Sequence, residues 1–296
     1  MKPPPFTYHA PATAAEACEI LAADPEGSKV LAGGQSLVPL MNLRLAQVDN
    51  LVDINRIDEL SHLRVEADRV VIGAGVTQAE VERSSEAREK LPLLAEALAH
   101  VSHWQIRNRG TVVGSLCHAD PAAELPAVWL ALGGEVTAQS ASGTRAIAPG
   151  EFFSSFLETA LNPGELATEV RLDVANGATG GSFKEISRRH GDFALVGVAT
   201  QVSLADGAVS DARIAVCGAG GTPVRVPAAE QVLHGASAPD VDDALLDQVA
   251  AEIGGALTPG DDIHASAEYR RHVAGVLARR ALREALARAS AAADGS

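Results

Sequence analysis

The sequence predicts an α+β protein with a larger first domain and a smaller second domain. Helix starts are marked in the first domain by two capping boxes, Thr13 with Glu16 and Thr77 with Glu80. Short apolar runs separated by turn residues predict antiparallel hairpins, most clearly in the second domain. The glycine-rich run 176–181 favours no regular element, so we place the domain boundary there.

In the first domain, apolar spacing and turn residues predict short strands that alternate with short helices. The predicted strands are 29–32, 51–54, a hairpin within 64–74, a hairpin of 136–138 with 145–147, and 166–174. The predicted helices are 13–23, 37–45, a segment opening at Thr77, 93–101, and a segment opening at Asp120.

The second domain is predicted to contain a small antiparallel sheet followed by helices. Its predicted strands are 182–187, 195–204 and 209–216, and its predicted helices are 228–233, 243–253 and 267–289. The last helix has apolar residues on one face and arginines on the other, which is typical of a helix packed on a core. We expect residues 289–296 to form a frayed tail.

Composition excludes several classes of function. The formal net charge of −14 and the pI near 5.0 argue against binding to nucleic acid. We expect no signal peptide and no membrane span, because no apolar run is long enough. The three cysteines, Cys18, Cys117 and Cys217, form no CxxC motif and cannot bind a zinc ion or an iron–sulfur cluster by themselves. This cysteine pattern indicates a reduced, cytoplasmic protein.

Two glycine-containing loops are the strongest candidates for a binding site. Each is predicted between a strand and a helix, where backbone N–H groups can bind an anion. Neither loop has a lysine of the P-loop type, so we infer a dinucleotide held at its pyrophosphate from two sides. The first loop comprises Ala32, Gly33, Gly34, Gln35, Ser36 and Leu37, and the second comprises Thr111, Val112, Val113, Gly114 and Ser115.

We interpret Thr111–Val113 as a short strand, Asp120 as a helix N-cap and Pro121 as the first helical residue. Asp120 is either only this cap or also a hydrogen-bond partner of ribityl or ribose hydroxyls. Glu124 lies one helical turn further on, where it is either solvated or directed at the cofactor. Lys184 alternates on a strand and is either simply exposed or part of the site.

Four segments of the chain, taken in order, resemble a known family: AGGQSLVPLMNLRLAQ, LVDINRI, IGAGVT and QIRNRGTVVGSLCHADPAAELPAV. They are similar to the FAD-binding medium subunit of aerobic-type carbon monoxide dehydrogenases. That family belongs to the molybdenum hydroxylases, together with xanthine dehydrogenase and nicotine dehydrogenase. The resemblance extends from about residue 5 to about residue 286.

The resemblance implies a two-lobed FAD-binding domain of the vanillyl-alcohol-oxidase type at residues 1–175, with lobes of about 1–57 and 58–175. Residues 180–288 would form the C-terminal domain of the carbon monoxide dehydrogenase flavoprotein type. The two glycine loops would hold the pyrophosphate, and Glu124 and Lys184 would lie close to the flavin. Two positions depart from the family pattern: Gln35 stands where many relatives have histidine, and Val113 where many have glycine.

The resemblance further implies partner subunits. A large subunit would carry the molybdenum cofactor and oxidise the substrate, and a small subunit would carry iron–sulfur clusters. The three chains would assemble as a dimer of heterotrimers, and FAD in this chain would pass electrons to an external acceptor. Two alternatives remain at this stage: a self-contained flavin oxidoreductase of the same superfamily, and a flavin-free scaffold subunit.

Overall fold

The computed structural model describes residues 2–294, and its first lobe is a small parallel α/β unit. Strands β1 and β2 pair in parallel with the two edges of β3. The predicted cap of the first helix is present, because the Thr13 side chain accepts a hydrogen bond from the Glu16 N–H. The elements are β1 Thr7–His9, α1 Ala14–Ala23, β2 Ser28–Leu31, α2 Leu37–Asn42 and β3 Asn50–Asp53.

The second lobe packs helices on an antiparallel sheet with the strand order β4-β5-β10-β6-β7. Its core is aromatic around Trp129 and Phe152, whose rings meet edge to face at 5.2 Å. The 3-10 helix Asp58–Leu60 leads into this lobe. Its elements are β4 Leu63–Val65, β5 Arg69–Gly73, α3 Gln78–Arg83, α4 Ser85–Lys90, α5 Pro92–Leu98, α6 Trp104–Arg107, α7 Val112–His118, α8 Glu124–Leu132, β6 Glu135–Ser140, β7 Gly143–Ile147, α9 Pro149–Phe152, β8 Phe153–Ser155, β9 Glu158–Thr159 and β10 Leu166–Asp173.

The second domain is an antiparallel meander covered by helices, as the sequence predicts. Asp206 and Gly207 both have positive φ, of 51° and 77°, which suits the tight turn between β12 and β13. The 3-10 helix Ala238–Asp240 precedes the last two helices. The elements are β11 Ala178–Ser187, β12 Ala194–Ala205, β13 Ala208–Cys217, β14 Val224–Arg225, α10 Pro227–Leu233, α11 Asp243–Ala256 and α12 Ala267–Asp294.

Four local predictions differ from the structure. Thr111–Val113 is not a strand, because Thr111 caps α7 and the two valines form its first turn. Asp120 is not a helix N-cap: its carboxylate accepts from the Ala122 N–H in a turn, and α8 begins only at Glu124. Strand β11 already starts inside the run 176–181. Helix α12 continues through most of the expected tail to Asp294, and Gly295 and Ser296 lie outside the described residues.

A polar network joins the two domains. Glu96 on α5 accepts hydrogen bonds from the Ser182 hydroxyl, the Phe183 N–H, the Lys184 ammonium and the Arg288 guanidinium. A second link runs from the Gly218 N–H to the Pro121 carbonyl. Among the helices of residues 2–294, none combines the length and apolar character that crossing a bilayer requires.

Candidate cofactor site

The first glycine loop connects β2 to α2 and leaves its amide groups free. Gly34 has a φ of +73°, a conformation that favours glycine. The Gln35 side chain stabilises the turn by donating to the Gly33 carbonyl at 3.0 Å. Within residues 2–294, the backbone N–H groups of residues 33–36 donate to no protein acceptor. Consecutive free N–H groups at one turn are the donor set that an anionic group requires.

The second loop leads into α7 and is tied to the start of α3. Thr111 caps α7, with its hydroxyl accepting from the Gly114 N–H at 3.0 Å. Thr111 also forms an isolated antiparallel bridge with Thr77. The Gln78 N–H donates to the Gly110 carbonyl at 2.8 Å, which fixes the entrance of the loop.

The two loops are in direct backbone contact. A Cβ atom added to Gly33 would lie 2.1 Å from the Arg109 carbonyl oxygen and 2.7 Å from the Gly110 Cα. A Cβ added to Gly114 would lie 3.6 Å from the Ala32 Cβ. Glycine at position 33 is therefore required for the loops to meet, and the free N–H groups of residues 33–36 lie beside the Arg109–Gly110 backbone. The free amides of the first loop are donors of the kind that an anionic group such as a pyrophosphate requires.

The two departures from the family pattern are accommodated by local structure. Val113 lies buried in the first turn of α7, where its φ is not positive, so a β-branched residue is tolerated. Gln35 replaces an imidazole with an amide that hydrogen-bonds within its own loop. Neither residue disrupts the contact between the loops.

Glu124 is buried, unlike the solvated residue that one interpretation of the sequence allowed. Only 4% of its surface is exposed, and it is the first residue of α8. Burial raises the pKa of Glu124 to about 7, and the nearby carboxylates of Glu185 and Asp120 also raise it. Asp120 thus lies close enough to influence Glu124, although it is not in the same helix.

Lys184 lies on the face of β11 that meets α12. Its ammonium is held by the carboxylates of Glu96, at 3.1 Å, and Glu284, at 2.5 Å. Burial lowers the pKa of Lys184, but the hydrogen bonds to Glu284 and Glu96 outweigh this effect and raise it. Its positive charge is therefore neutralised by protein groups.

The fold pairs two residues, His100 and Glu185, that the sequence did not indicate as partners. Glu185 follows Lys184 but faces the other side of β11, and its Oε1 lies 3.4 Å from the Nδ1 of His100. Because side chains alternate along a strand, the sequence could have predicted that Glu185 and Lys184 face opposite sides of β11. Nothing in the sequence pattern could have paired Glu185 with His100, which lies 85 positions earlier in the chain.

Comparison with known families decides the identity of the fold. Residues 4–173 match the family described as the FAD binding domain in molybdopterin dehydrogenase, and residues 181–285 match the CO dehydrogenase flavoprotein C-terminal domain. The chain belongs to the FAD-binding medium subunits of the molybdenum hydroxylases. It is therefore an oxidoreductase subunit whose cofactor is FAD, and the predicted family, α+β fold class and cofactor are confirmed.

Individual relatives match over nearly their whole length. The chain is 42% identical to the 6-hydroxypseudooxynicotine dehydrogenase complex subunit alpha of Paenarthrobacter nicotinovorans, covering 98% of this chain and 97% of that protein. It is 40% identical to the caffeine dehydrogenase subunit beta of Pseudomonas sp. (strain CBB1), covering 96% of each. A solved carbon monoxide dehydrogenase from Hydrogenophaga pseudoflava superposes with a TM-score of 0.94 at 36% identity, covering 97% of this chain and 99% of that chain.

Proposed function

We propose that this chain is the electron-transfer subunit of a heterotrimeric molybdenum hydroxylase. A large partner subunit carries the molybdenum cofactor and oxidises the substrate, and a small partner subunit carries the iron–sulfur clusters. FAD bound to this chain supplies a carrier that accepts electrons singly and releases them in pairs. The complex is a dimer of heterotrimers in the cytoplasm, a location supported by three free cysteines among the described residues.

The observation that carries this proposal is the contact between the two glycine loops in a chain of this family. The free N–H groups of residues 33–36 lie next to the loop that leads into α7, which supports binding of the pyrophosphate. Relatives that match the chain almost completely are named as subunits or medium chains of larger enzymes. These names describe chains that function together with the other subunits of one enzyme, which supports the same arrangement for this chain.

In the proposed site, the contacts with FAD are distributed over both loops and the start of α8. Ala32, Gly33, Gly34, Gln35, Ser36 and Leu37 bind one side of the pyrophosphate, and Thr111, Val112, Val113, Gly114 and Ser115 bind the other. Asp120 and Glu124 lie beyond α7, toward the flavin. A direct contact from Lys184 requires its ammonium to leave Glu96 and Glu284.

We further infer that the substrate of the complex is an N-heterocyclic compound. Relatives named for nicotine, a nicotine derivative or caffeine are 40–42% identical to the chain. Carbon monoxide dehydrogenase medium chains are 34–35% identical. Reduction of an artificial dye by the purified complex with nicotine or caffeine, and not with carbon monoxide, is the expected result.

The proposed assembly is tested by purifying the chain from its native host through an affinity tag. We expect two further subunits, molybdenum, iron and a flavin absorption band in the eluate. A yellow protein that purifies alone and oxidises substrate would instead establish a self-contained flavoenzyme. A colourless protein would establish a scaffold subunit.

A further inference from the structure

The side-chain amide of Gln78 is buried with its oxygen unsatisfied. Gln78 is the first residue of α3, and only 4% of its surface is exposed. Its Oε1 is enclosed and has no hydrogen-bond partner within residues 2–294. A buried carbonyl oxygen without a donor destabilises the folded chain, and most such oxygens in native proteins have a partner. The missing donor is therefore expected from a group that binds beside Gln78.

Backbone contacts hold Gln78 at the entrance of the second glycine loop. The Gln78 N–H donates to the Gly110 carbonyl at 2.8 Å, and the preceding residue, Thr77, forms an isolated antiparallel bridge with Thr111. The capping box of Thr77 and Glu80 fixes the start of α3. The backbone of Gln78 therefore has one fixed position relative to the second loop.

The Gln78 amide lies against the same glycine that contacts the first loop. A Cβ atom added to Gly110 would lie 3.2 Å from the Gln78 Oε1 and 3.4 Å from its Cδ. The Gly110 Cα in turn lies 2.7 Å from a Cβ added to Gly33. The first loop carries the free N–H groups of residues 33–36. An acceptor without a donor and a row of donors without acceptors thus border one glycine.

We propose that Gln78 is a further FAD-binding residue, whose Oε1 accepts a hydrogen bond from a sugar hydroxyl next to the pyrophosphate. The inference rests on the proposed placement of FAD at the two loops. Phosphate oxygens are acceptors, so they suit the free N–H groups of residues 33–36 but cannot donate to the Gln78 oxygen. The ribityl chain and the ribose flank the pyrophosphate on its two sides, and their hydroxyl groups are the nearest donors that FAD offers.

This role gives the Gln78 amide opposite effects on the flavin-free and the flavin-bound chain. Without FAD, the unsatisfied oxygen opposes folding. With FAD, the same oxygen pairs with a hydroxyl that would otherwise be buried without an acceptor. A side chain that only packs against Gly110 would stabilise both states when present and weaken both when removed.

The first test is Gln78→Met, which keeps the length of the side chain and removes the amide. We expect the thermal unfolding midpoint of the flavin-free chain to rise by about 1–3 °C and the Kd for FAD to increase about three- to tenfold. The exposed Gln248→Met on α11 is the matched control and should change neither. An unchanged Kd, or a lower midpoint in the flavin-free chain, overturns the assignment.

A second variant covers the case in which Gln78→Met does not fold. Gln78→Asn keeps a polar amide but withdraws it by one methylene group, so its oxygen no longer reaches the hydroxyl. We expect the Kd for FAD to increase by a similar factor. An unchanged Kd in Gln78→Asn would overturn the proposed contact.

The source of the hydroxyl is identified with two smaller probes. FMN carries the ribityl chain and ADP carries the ribose, and each is titrated into the flavin-free unmodified chain and into Gln78→Met. A loss of affinity confined to FMN assigns the ribityl hydroxyl, and a loss confined to ADP assigns the ribose hydroxyl. Equal affinities of the two proteins for both probes contradict the sugar contact. An unmodified chain that binds no FAD would overturn the two-loop site itself, whereas FAD binding that Gln78→Met leaves unchanged overturns only the role of Gln78.

Discussion

At the scale of single residues, Glu124 is a buried carboxyl at the first position of α8. A carboxyl with 4% of its surface exposed loses most of its hydration when it ionises. Thr111 shows the opposite case, because its hydroxyl satisfies a helix terminus that would otherwise lack an acceptor. Both residues lie close to the proposed cofactor site. Burial destabilises the ionised form of Glu124, whereas the Thr111 hydroxyl stabilises the start of α7.

We predict that Glu124→Gln removes part of the pH dependence of stability. The folded-state pKa of Glu124 is raised from 4.5 to about 7, so ionisation opposes folding as pH rises between these values. At pH 8, the variant should be more stable than the unmodified chain by on the order of 2–3 kcal/mol, with a much smaller difference at pH 4. Urea denaturation at both pH values measures this. A difference that grows as pH falls would contradict the assignment.

We predict that Thr111→Ala weakens the second loop. The Gly114 N–H loses its acceptor, which should lower the free energy of unfolding by about 1 kcal/mol and reduce affinity for FAD. Thr111→Ser keeps the hydroxyl and is the matched control. Thermal unfolding and FAD titration of both variants provide the measurement; equal losses in both would show that the methyl group matters, not the cap.

At the scale of elements, the contact between the glycine loops explains how two separate segments form one site. Gly33 lies so close to the Arg109–Gly110 backbone that any side chain would push the loops apart. Backbone contacts of this kind cannot be relieved by a change of rotamer.

We predict that Gly33→Val lowers FAD affinity at least about tenfold, which corresponds to about 1.4 kcal/mol. The added Cβ would collide with the Arg109 carbonyl, which separates the amides of the two loops. Gly150→Val is the control, because a Cβ there meets nothing within 4 Å. The ratio of flavin to protein absorbance after reconstitution measures the effect. Full flavin occupancy in Gly33→Val would refute the two-loop site.

The sequence was sufficient to predict the elements with clear local signals. The Thr77 capping box and the loop at residues 33–36 are present because each depends on a few neighbouring residues. The strand predicted at Thr111–Val113 was wrong because the Thr111 cap and burial of both valines outweighed their β propensity. Asp120 has the right residue type for a cap, but its carboxylate closes a turn instead.

The group of His100, Glu124 and Glu185 could not be predicted from local pattern. His100 lies in the loop after α5 and Glu124 begins α8, whereas Glu185 is on β11 of the second domain, and the packing of β11 against α5 brings Glu185 to His100. Resemblance indicated that Glu124 is important, but it did not reveal its burial or its neighbours. Long-range arrangement of this kind depends on tertiary contacts.

At the scale of the whole molecule, Glu96 joins the two domains. Burial raises the pKa of Glu96, but hydrogen bonds from Arg288 and Lys184 outweigh this effect and lower it. Glu96 is on α5 in the first domain, whereas its partners are on β11 and α12 in the second. The network therefore holds β11 and α12 of the second domain against α5 of the first domain.

We predict that Glu96→Ala lowers the free energy of unfolding by about 1–3 kcal/mol at pH 7, because four donors lose their acceptor. Since the folded-state pKa is lowered, this contribution is present above pH 4.5 and is lost as pH falls through the folded-state value. The exposed Glu86→Ala on α4 is the control. Denaturation curves at pH 7 and pH 3 measure both; an equal loss at each pH would contradict the ionic role.

The central claim is that FAD in this chain receives electrons only through partner subunits. The most direct measurement is the absorbance of the flavin band after substrate is added without oxygen, in the purified complex and in the flavin-loaded chain alone. We expect substrate to bleach the band in the complex and to leave it unchanged in the isolated chain. Bleaching in the isolated chain would contradict the account and establish a self-contained flavin oxidoreductase.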